Sequence, residues 1–203
     1  VKIISPNFSL ENYNNESEEF QIKRLIKISN PEKDKKTLFI WPEGIFYHSY
    51  LEDIKKYKNL FEDNFSEKHL IILGINNFSN NKEKNEQKYF NSFAILDHKL
   101  DIFSLYNKIN LVPFGEFLPF EKTLSKFGLK KITRGYSSFS SGDKRSLINL
   151  GENFNNKLIL PLICYEIIYP GKIKKENQFP DLVINISEDA WFGQSVGPHQ
   201  HST

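Results

Sequence analysis

Apolar residues fall into short continuous runs along this chain, separated by longer polar segments rich in Lys, Asn, Asp and Glu. Continuous apolar runs bounded by turn-forming residues are typical of strands that are buried on both faces. This pattern predicts strands at residues 1–4, 37–41, 70–75, 89–96, 102–106, 146–150 and 181–186, together with the run that begins at residue 158.

A wider apolar period predicts helices between some of these strands. Apolar residues recur at helical spacing over residues 20–26, and the Asn30–Pro31 pair predicts the end of that helix. Residues 50–65 show the same period near 3.6, and residues 121–131 show it weakly. The polar stretches at residues 9–19 and 134–143 are predicted loops, and residues 76–88 are a predicted exposed hairpin loop.

The alternation of strands and helices predicts an α/β fold built in layers. Several predicted strands run directly into a polar cluster, and α/β folds gather their reactive groups at the carboxyl ends of strands. We therefore expect the functional site along one edge of the sheets.

Composition narrows the possible functions. The chain has 203 residues, enough for one large domain or two small ones, and 39% of them are hydrophobic. Its charges nearly cancel to +2, which disfavours a nucleic-acid partner, and a single cysteine excludes an internal disulfide framework. No apolar run approaches the roughly 18 residues that span a bilayer, and no signal-peptide pattern opens the chain. Because the sequence starts at Val1 and stops at Thr203 in mid-pattern, we interpret it as part of a longer protein.

The single cysteine, Cys164, lies at the end of the most apolar run, LILPLICYEIIYP at residues 158–170. A lone cysteine in such a run is most often a small buried hydrophobe. A thiol at the point where a buried strand opens into a loop can also be held rigidly and reached by a substrate. Position alone leaves both interpretations open.

Two further strand ends carry ionisable groups. Glu43 follows the strand at 37–41 in the motif Trp-Pro-Glu-Gly, where it is either a solvated loop residue or a reactive carboxylate. Lys108 follows the strand at 102–106, and it is either a surface lysine with a buried stem or a site residue. The nearby Pro-Phe-Gly-Glu motif, which contains Glu116, places aromatics beside a charge and favours a site.

His199 and His201 are the only candidates for a metal site. No cysteine or carboxylate stands at ligand spacing around them, so we predict neither a metal nor any other cofactor.

Four segments together resemble the nitrilase (carbon–nitrogen hydrolase) superfamily. They are WPEG at 41–44, YNKINLVPFGEFLP at 106–119, LICYEIIYP at 162–170 and NISEDAWFGQSVGPHQH at 185–201. Within that superfamily they look most similar to the apolipoprotein N-acyltransferases, since soluble amidases usually lack the LVPFGEFLP stretch. The resemblance implies a four-layer α-β-β-α sandwich. We expect residues 1–203 to form one catalytic domain, C-terminally incomplete, without its last helix and strands and without the family's transmembrane segments.

The resemblance also assigns residues. The family's Glu-Lys-Cys triad corresponds to Glu43, Lys108 and Cys164. Supporting positions correspond to Glu116, Tyr165 and Glu166, and Tyr13, which stands near a family tryptophan, is expected to contact the substrate. The aromatics Phe114, Phe117, Phe120, Trp191 and Phe192 either contact the substrate, as we expect, or pack the core. Two positions depart from the family, which typically has Asn at Glu188 and Trp near Tyr13.

The implied reaction moves a fatty acyl group from a phospholipid, through a cysteine thioester, to the N-terminal amine of an apolipoprotein. The implied partners are a phospholipid donor, an apolipoprotein acceptor and a membrane reached through segments outside this chain. The implied location is the periplasmic side of the bacterial inner membrane. Two alternatives stay open, a soluble nitrilase-type amidase with the same triad and an inactive fragment.

Overall fold

A computed structural model describes residues 1–6, 16–81, 86–119, 138–168 and 178–188, and the statements that follow refer to those ranges. The helices are α1 (Glu18–Ser29) and α2 (Lys58–Asn64), and short 3-10 turns cover Asp53–Tyr57, Glu152–Phe154 and Cys164–Ile168. The strands are β1 (Lys2–Ile3), β2 (Thr37–Ile40), β3 (Phe46–Tyr50), β4 (His69–Asn81), β5 (Glu86–Leu96), β6 (Ile102–Asn107), β7 (Ile148–Asn149), β8 (Leu158–Ile163) and β9 (Leu182–Ile186).

The strands form two sheets. Six strands make the larger sheet in the order β1-β2-β4-β5-β6, with β3 also paired to β4, and three strands make the smaller sheet in the order β7-β8-β9. Strand β2 runs parallel to β4, and β8 runs parallel to β9. The ends of β2 and β8, where Glu43 and Cys164 follow, are therefore carboxyl ends of parallel strands.

Alternate residues of the larger sheet face two different cores. On one face, Phe39, Ile71 and Ala94 pack with apolar residues of α1 and α2. On the opposite face, Leu38 and Ile72 pack with residues of β8 and β9 in a second cluster. This period of two puts the larger sheet between a helix layer and the smaller sheet.

The α/β prediction is confirmed, and the described residues form α, β and β layers in that order. The described residues do not include the fourth, helical layer of the expected sandwich. Among the helices that the structure describes, none has the length and apolar character needed to cross a bilayer.

Local sequence accounts for α1. The Ser17 side chain accepts a hydrogen bond from the Phe20 N–H, and two glutamates occupy the first turn. Asn30 ends the helix in a left-handed conformation, and its N–H donates to the Ile26 carbonyl. The predicted helix and its end are confirmed.

Two sequence predictions were wrong. Residues 76–88 were predicted as an exposed hairpin loop, but most of them belong to the strands: β4 extends to Asn81, β5 begins at Glu86, and the antiparallel pair runs from Ile71↔Leu96 to Asn81↔Glu86. The extension was not predicted because its residues are polar. It is stabilised by pairing with the neighbouring strand, and no apolar run marks it in the sequence. Residues 50–65 were predicted as one helix, but they divide into a 3-10 turn and α2. Strand β3 was not predicted, and the weak helix at 121–131 lies outside the described residues.

Candidate active site

Glu43 is placed by a close approach between two backbones. The Gly74 N–H on β4 donates to the Pro42 carbonyl at 3.3 Å. A Cβ atom added to Gly74 would lie 2.5 Å from the Glu43 Cα, so only glycine leaves room for the loop after β2. Gly44 then turns the chain at a φ of +69°.

The Glu43 carboxylate is buried, with 9% of the residue exposed. Its Oε1 accepts a hydrogen bond from the Asn91 Nδ2 at 2.7 Å. Burial raises the pKa of Glu43, although the positive charge of Lys108 and the Asn91 hydrogen bond oppose the rise. The charges of Glu116 and Glu188 raise it further. Glu43 is thus a carboxylate whose proton affinity is increased by its surroundings.

Lys108, directly after β6, is 1% exposed, which excludes the surface interpretation. Its Nζ donates to Glu116 Oε1 at 2.9 Å, and its backbone N–H donates to the Asn91 carbonyl at 2.8 Å. Burial by itself would lower the pKa of Lys108, but the charges of Glu43, Glu116 and Cys164 outweigh that effect and raise it. The amine is therefore held as a cation inside the protein.

Glu116 closes this cluster from a tight turn. The Glu116 N–H donates to the Val112 carbonyl at 2.8 Å, and the Val112 N–H returns a bond to Glu116 Oε2 at 2.9 Å. The Asn91 Nδ2 also donates to Glu116 Oε1 at 2.9 Å. Asn91 therefore joins the two carboxylates, and Glu116 joins Asn91 to Lys108.

Cys164 begins the turn after β8 with a φ of 52°, in the left-handed region that a non-glycine residue seldom adopts. The residue is half-buried. Burial and the negative charge of Glu43 raise the pKa of its thiol to about 12, while the charge of Lys108 and a hydrogen bond from the Tyr165 backbone lower it. The thiol therefore lies within the electrostatic reach of both the acid and the amine.

Glu166 is fully buried at 0% exposure and accepts hydrogen bonds from several sides. The Arg145 guanidinium donates to its Oε1 at 2.6 Å, and the Tyr106 hydroxyl donates at 2.7 Å. The other donors are the backbone N–H groups of Ile109, Asn110 and Ile163, at 3.0, 3.1 and 3.0 Å. This carboxylate ties β6, the segment after Lys108 and the end of β8 together.

The structure describes two of the predicted substrate contacts and one further supporting residue. Phe114 is 46% exposed at a φ of 62°, and Phe117 is half-buried. Tyr165, predicted as a supporting residue, is 43% exposed. The Phe114 N–H donates to the Phe117 carbonyl at 2.8 Å, which places both rings on the turn that carries Glu116. Tyr13, Phe120, Trp191 and Phe192 lie outside the described residues.

Glu188 lies beside the loop that carries Glu43. A Cβ atom added to Gly44 would lie 3.9 Å from both the Cβ and the Cγ of Glu188. Its negative charge is one of the causes that raise the pKa of Glu43.

Sequence reasoning missed Asn91, Tyr106 and Arg145 as parts of this region. Gly74 was also missed, although a glycine inside the apolar run LIILGI is a recognisable signal of close backbone approach. Asn91 gives a weaker signal as a polar residue within an apolar strand, and nothing in the local sequence marks Arg145.

Within the described ranges no group of three or more His, Cys, Asp or Glu side chains is arranged to hold a metal ion. The pair His199 and His201 lies outside those ranges.

Comparison with known proteins identifies relatives of this chain. A family profile described as carbon–nitrogen hydrolase matches residues 21–203. The apolipoprotein N-acyltransferase of Rhizobium leguminosarum bv. trifolii is 32% identical over 167 residues, which are 82% of this chain and 30% of the relative. The apolipoprotein N-acyltransferase of Rhodopseudomonas palustris is 43% identical over 112 residues, which are 55% of this chain and 20% of the relative.

Solved structures agree on the fold. A CN-hydrolase superfamily protein from Xanthomonas campestris superposes with a TM-score of 0.50 at 14% identity, over 84% of this chain and 58% of that protein. At that identity the match bears on architecture alone. The present chain spans 30% of the length of the first of the curated relatives that it matches.

Proposed function

The chain belongs to the carbon–nitrogen hydrolase family, and from that premise we propose that it forms the catalytic part of a bacterial apolipoprotein N-acyltransferase. One observation carries the proposal. A buried carboxylate, Glu43, and a buried amine, Lys108, are joined through Asn91 and Glu116, and their charges act on the pKa of the Cys164 thiol at the end of a parallel strand. Relatives that are named apolipoprotein N-acyltransferase support this choice of reaction within the family.

In the first half-reaction, Cys164 is the nucleophile and Glu43 the general base. The Sγ atom attacks the ester carbonyl of a phospholipid while its proton passes to the Glu43 carboxylate. The ester C–O bond then breaks, and Glu43 returns the proton to the departing oxygen. A lysophospholipid leaves, and the fatty acyl group remains on Cys164 as a thioester.

The need for a base follows from the resting state. A thiol whose pKa is raised to about 12 is neutral at physiological pH, so attack requires a nearby proton acceptor. Burial raises the pKa of Glu43 and thereby improves its match to that task. The thiol is therefore unreactive until Glu43 accepts its proton.

Lys108 supplies positive charge where negative charge develops. Its ammonium group is buried and its raised pKa keeps it protonated. In a site of low dielectric constant such a cation stabilises the oxyanion of the tetrahedral intermediate. The hydrogen bonds of Glu116 and Asn91 hold the amine and the base in fixed positions relative to each other.

In the second half-reaction, the α-amine of an apolipoprotein's N-terminal cysteine attacks the thioester. A new C–N bond forms, the C–S bond breaks, and the amine's proton passes through Glu43 to the Sγ of Cys164. The products are an amide and the original thiol, so the cycle closes without a cofactor.

The aromatic residues around the site support an acyl donor. Phe114 and Tyr165 expose rings beside Glu116 and Cys164, and we assign them to the acyl chain. Phe117 is assigned there through its place on the same turn, and Tyr13, Phe120, Trp191 and Phe192 through the family resemblance. We propose that the intact protein works at the periplasmic face of the bacterial inner membrane, where its two substrates meet.

A trapping experiment tests the function. The intact protein is incubated with phospholipid that carries a labelled acyl chain, and the peptide that contains Cys164 is analysed by mass spectrometry. We expect a hydroxylamine-labile acyl group on Cys164, and its transfer to a synthetic diacylglyceryl-cysteine peptide.

The matched control is Cys164→Ala, which should carry no label. Label that accumulates on Cys164→Ala would overturn the assignment of the nucleophile. A protein that ignores phospholipid but hydrolyses small amides would identify a soluble-type amidase and contradict the proposed transfer.

A further inference from the structure

Arg145 lies outside every motif of the family resemblance, yet it contacts the centre of the site's framework. It is part of the segment that precedes β7, and its side chain is 7% exposed. Its NH2 group donates to Glu166 Oε1 at 2.6 Å and to the Tyr106 hydroxyl at 2.9 Å, and its Nε donates to that hydroxyl at 3.1 Å. Such a fork fixes both partners in direction as well as distance.

The partners of Arg145 flank both reactive side chains. Tyr106 lies two residues before Lys108, and Glu166 accepts the backbone N–H groups of Ile109 and Asn110 that follow it. On the thiol side, Glu166 accepts the N–H of Ile163, the residue directly before Cys164. One carboxylate therefore binds a side chain before Lys108, the backbone after Lys108 and the backbone directly before Cys164.

We infer that Arg145 is a positioning residue, which holds Glu166 at the junction of the Lys108 and Cys164 segments and so sets the placement of the amine relative to the thiol. The inference rests on the proposed roles of Lys108 and Cys164. Arg145 itself has no role in bond making or proton transfer.

Charge explains why the position needs arginine. Glu166 is fully buried, and a buried carboxylate with no cationic partner is strongly unfavourable. Lysine would supply the charge from a single nitrogen, without the planar fork that contacts Glu166 and Tyr106 together. We therefore expect Arg145→Lys to keep part of the effect and Arg145→Met to lose it.

The test measures the reactivity of the thiol, which requires no lipid. In the intact protein, the rate constant for alkylation of Cys164 by iodoacetamide is followed by mass spectrometry of the Cys164 peptide. We expect Arg145→Met to react about tenfold more slowly, which corresponds to one unit in thiol pKa. Arg145→Lys should fall between this variant and the wild type. The matched control is Lys144→Met, which removes the neighbouring exposed charge and should leave the rate unchanged.

A double variant separates positioning from simple stability. If Arg145 acts through Lys108, the pair Arg145→Met and Lys108→Met should react no more slowly than Lys108→Met alone. If the alkylation rate of the double variant falls by the product of the two single-variant factors, the inference is overturned. An Arg145→Met protein that melts earlier but whose folded fraction alkylates at the wild-type rate would also overturn it.

If Arg145→Met does not fold, Tyr106→Phe takes its place. This change removes one donor to Glu166 and one acceptor for Arg145 but keeps the ring. It should slow alkylation by a smaller factor, and an unchanged rate would contradict the inference. A protein that shows this alkylation pattern but takes no acyl group from phospholipid would refute the proposed function and leave the positioning role intact.

Discussion

Two buried carboxylates belong to the region of the proposed catalytic thiol, and their surroundings differ sharply. Glu166 is fully buried, and it is bound by a guanidinium, a phenol and three backbone N–H groups. Glu43 is 9% exposed, and among the described residues its side chain accepts a single hydrogen bond, from Asn91.

The number of hydrogen-bond donors around each buried carboxylate distinguishes a structural role from the proposed catalytic one. A carboxylate that accepts hydrogen bonds from several segments holds those segments together, so it cannot move without breaking several contacts. A buried carboxylate with few donors is poorly stabilised as an anion, which agrees with the raised pKa of Glu43. We therefore interpret Glu166 as an anchor and Glu43 as the group that moves a proton.

The largest expected effect comes from Glu43→Gln, which keeps the shape and removes the base. Loss of general-base catalysis should slow acylation of Cys164 by roughly 10² to 10⁴. The measurement is the single-turnover rate of thioester formation in the intact protein. Glu19→Gln, at an exposed glutamate of α1, is the matched control. A Glu43→Gln protein that acylates within tenfold of the wild type would remove Glu43 from the mechanism.

The next effect is that of Lys108→Met. Because the charge of Lys108 lowers the pKa of both Glu43 and Cys164, its removal should raise both values. The base is then ionised only at higher pH, so the acid limb of the pH–rate profile should move to higher pH. Without the cation that stabilises the oxyanion, acylation should slow by a factor of roughly 10² to 10³. If the acid limb of the pH–rate profile does not move, Lys108 does not affect the pKa of Glu43. The control is Lys56→Met, at an exposed lysine.

Gly74→Ala tests whether the backbone contact places Glu43. The new Cβ would lie 2.5 Å from the Glu43 Cα, so the loop after β2 must shift. A displacement of this kind should slow acylation by roughly 10- to 100-fold. Ser79→Ala, an exposed position on the same strand β4, should have no effect. If Gly74→Ala is acylated at the wild-type rate, the reaction tolerates a displacement of Glu43.

The smallest expected effect is that of Glu188→Gln. The negative charge of Glu188 helps to raise the pKa of Glu43, so its removal should lower that pKa. The acid limb should then move to lower pH by less than about one unit, the opposite direction to Lys108→Met. Glu152→Gln, an exposed change elsewhere, is the control. A shift of the limb to higher pH would contradict the electrostatic account.

The sequence predicts those parts of the site that depend on local order. Each of the proposed catalytic groups follows the end of an apolar run, and the lysine and Glu116 are only eight residues apart, so a tight turn is enough to join them. The end of α1 was predicted for the same reason, since Asn30 caps its own helix.

The remaining parts depend on register and could not be predicted. Asn91 meets Glu43 across 48 residues of sequence, and that contact depends on how β5 pairs with β4. Arg145 reaches Tyr106 across 39 residues from a segment with no apolar pattern. A single sequence carries no signal for contacts of this kind, because many registers satisfy the same pattern of apolar residues.

The most direct test compares amide hydrogen exchange in Glu43→Gln and Glu166→Gln, two changes of equal size. The N–H groups of Ile109, Asn110 and Ile163 donate to Glu166, so peptides that contain them report on the anchor. Burial raises the pKa of Glu43, so above that pKa the ionised carboxylate destabilises the folded state. A neutral glutamine at this position should therefore not lower the free energy of unfolding at neutral pH.

We expect Glu166→Gln to speed exchange at these amides, because a buried arginine loses its partner. The free energy of opening should fall by about 3–5 kcal/mol. Glu43→Gln should leave the same amides protected while acylation of Cys164 is lost. Protection that is lost in Glu43→Gln and kept in Glu166→Gln would reverse the two roles and contradict the assignment of Glu166 as the anchor and Glu43 as the base.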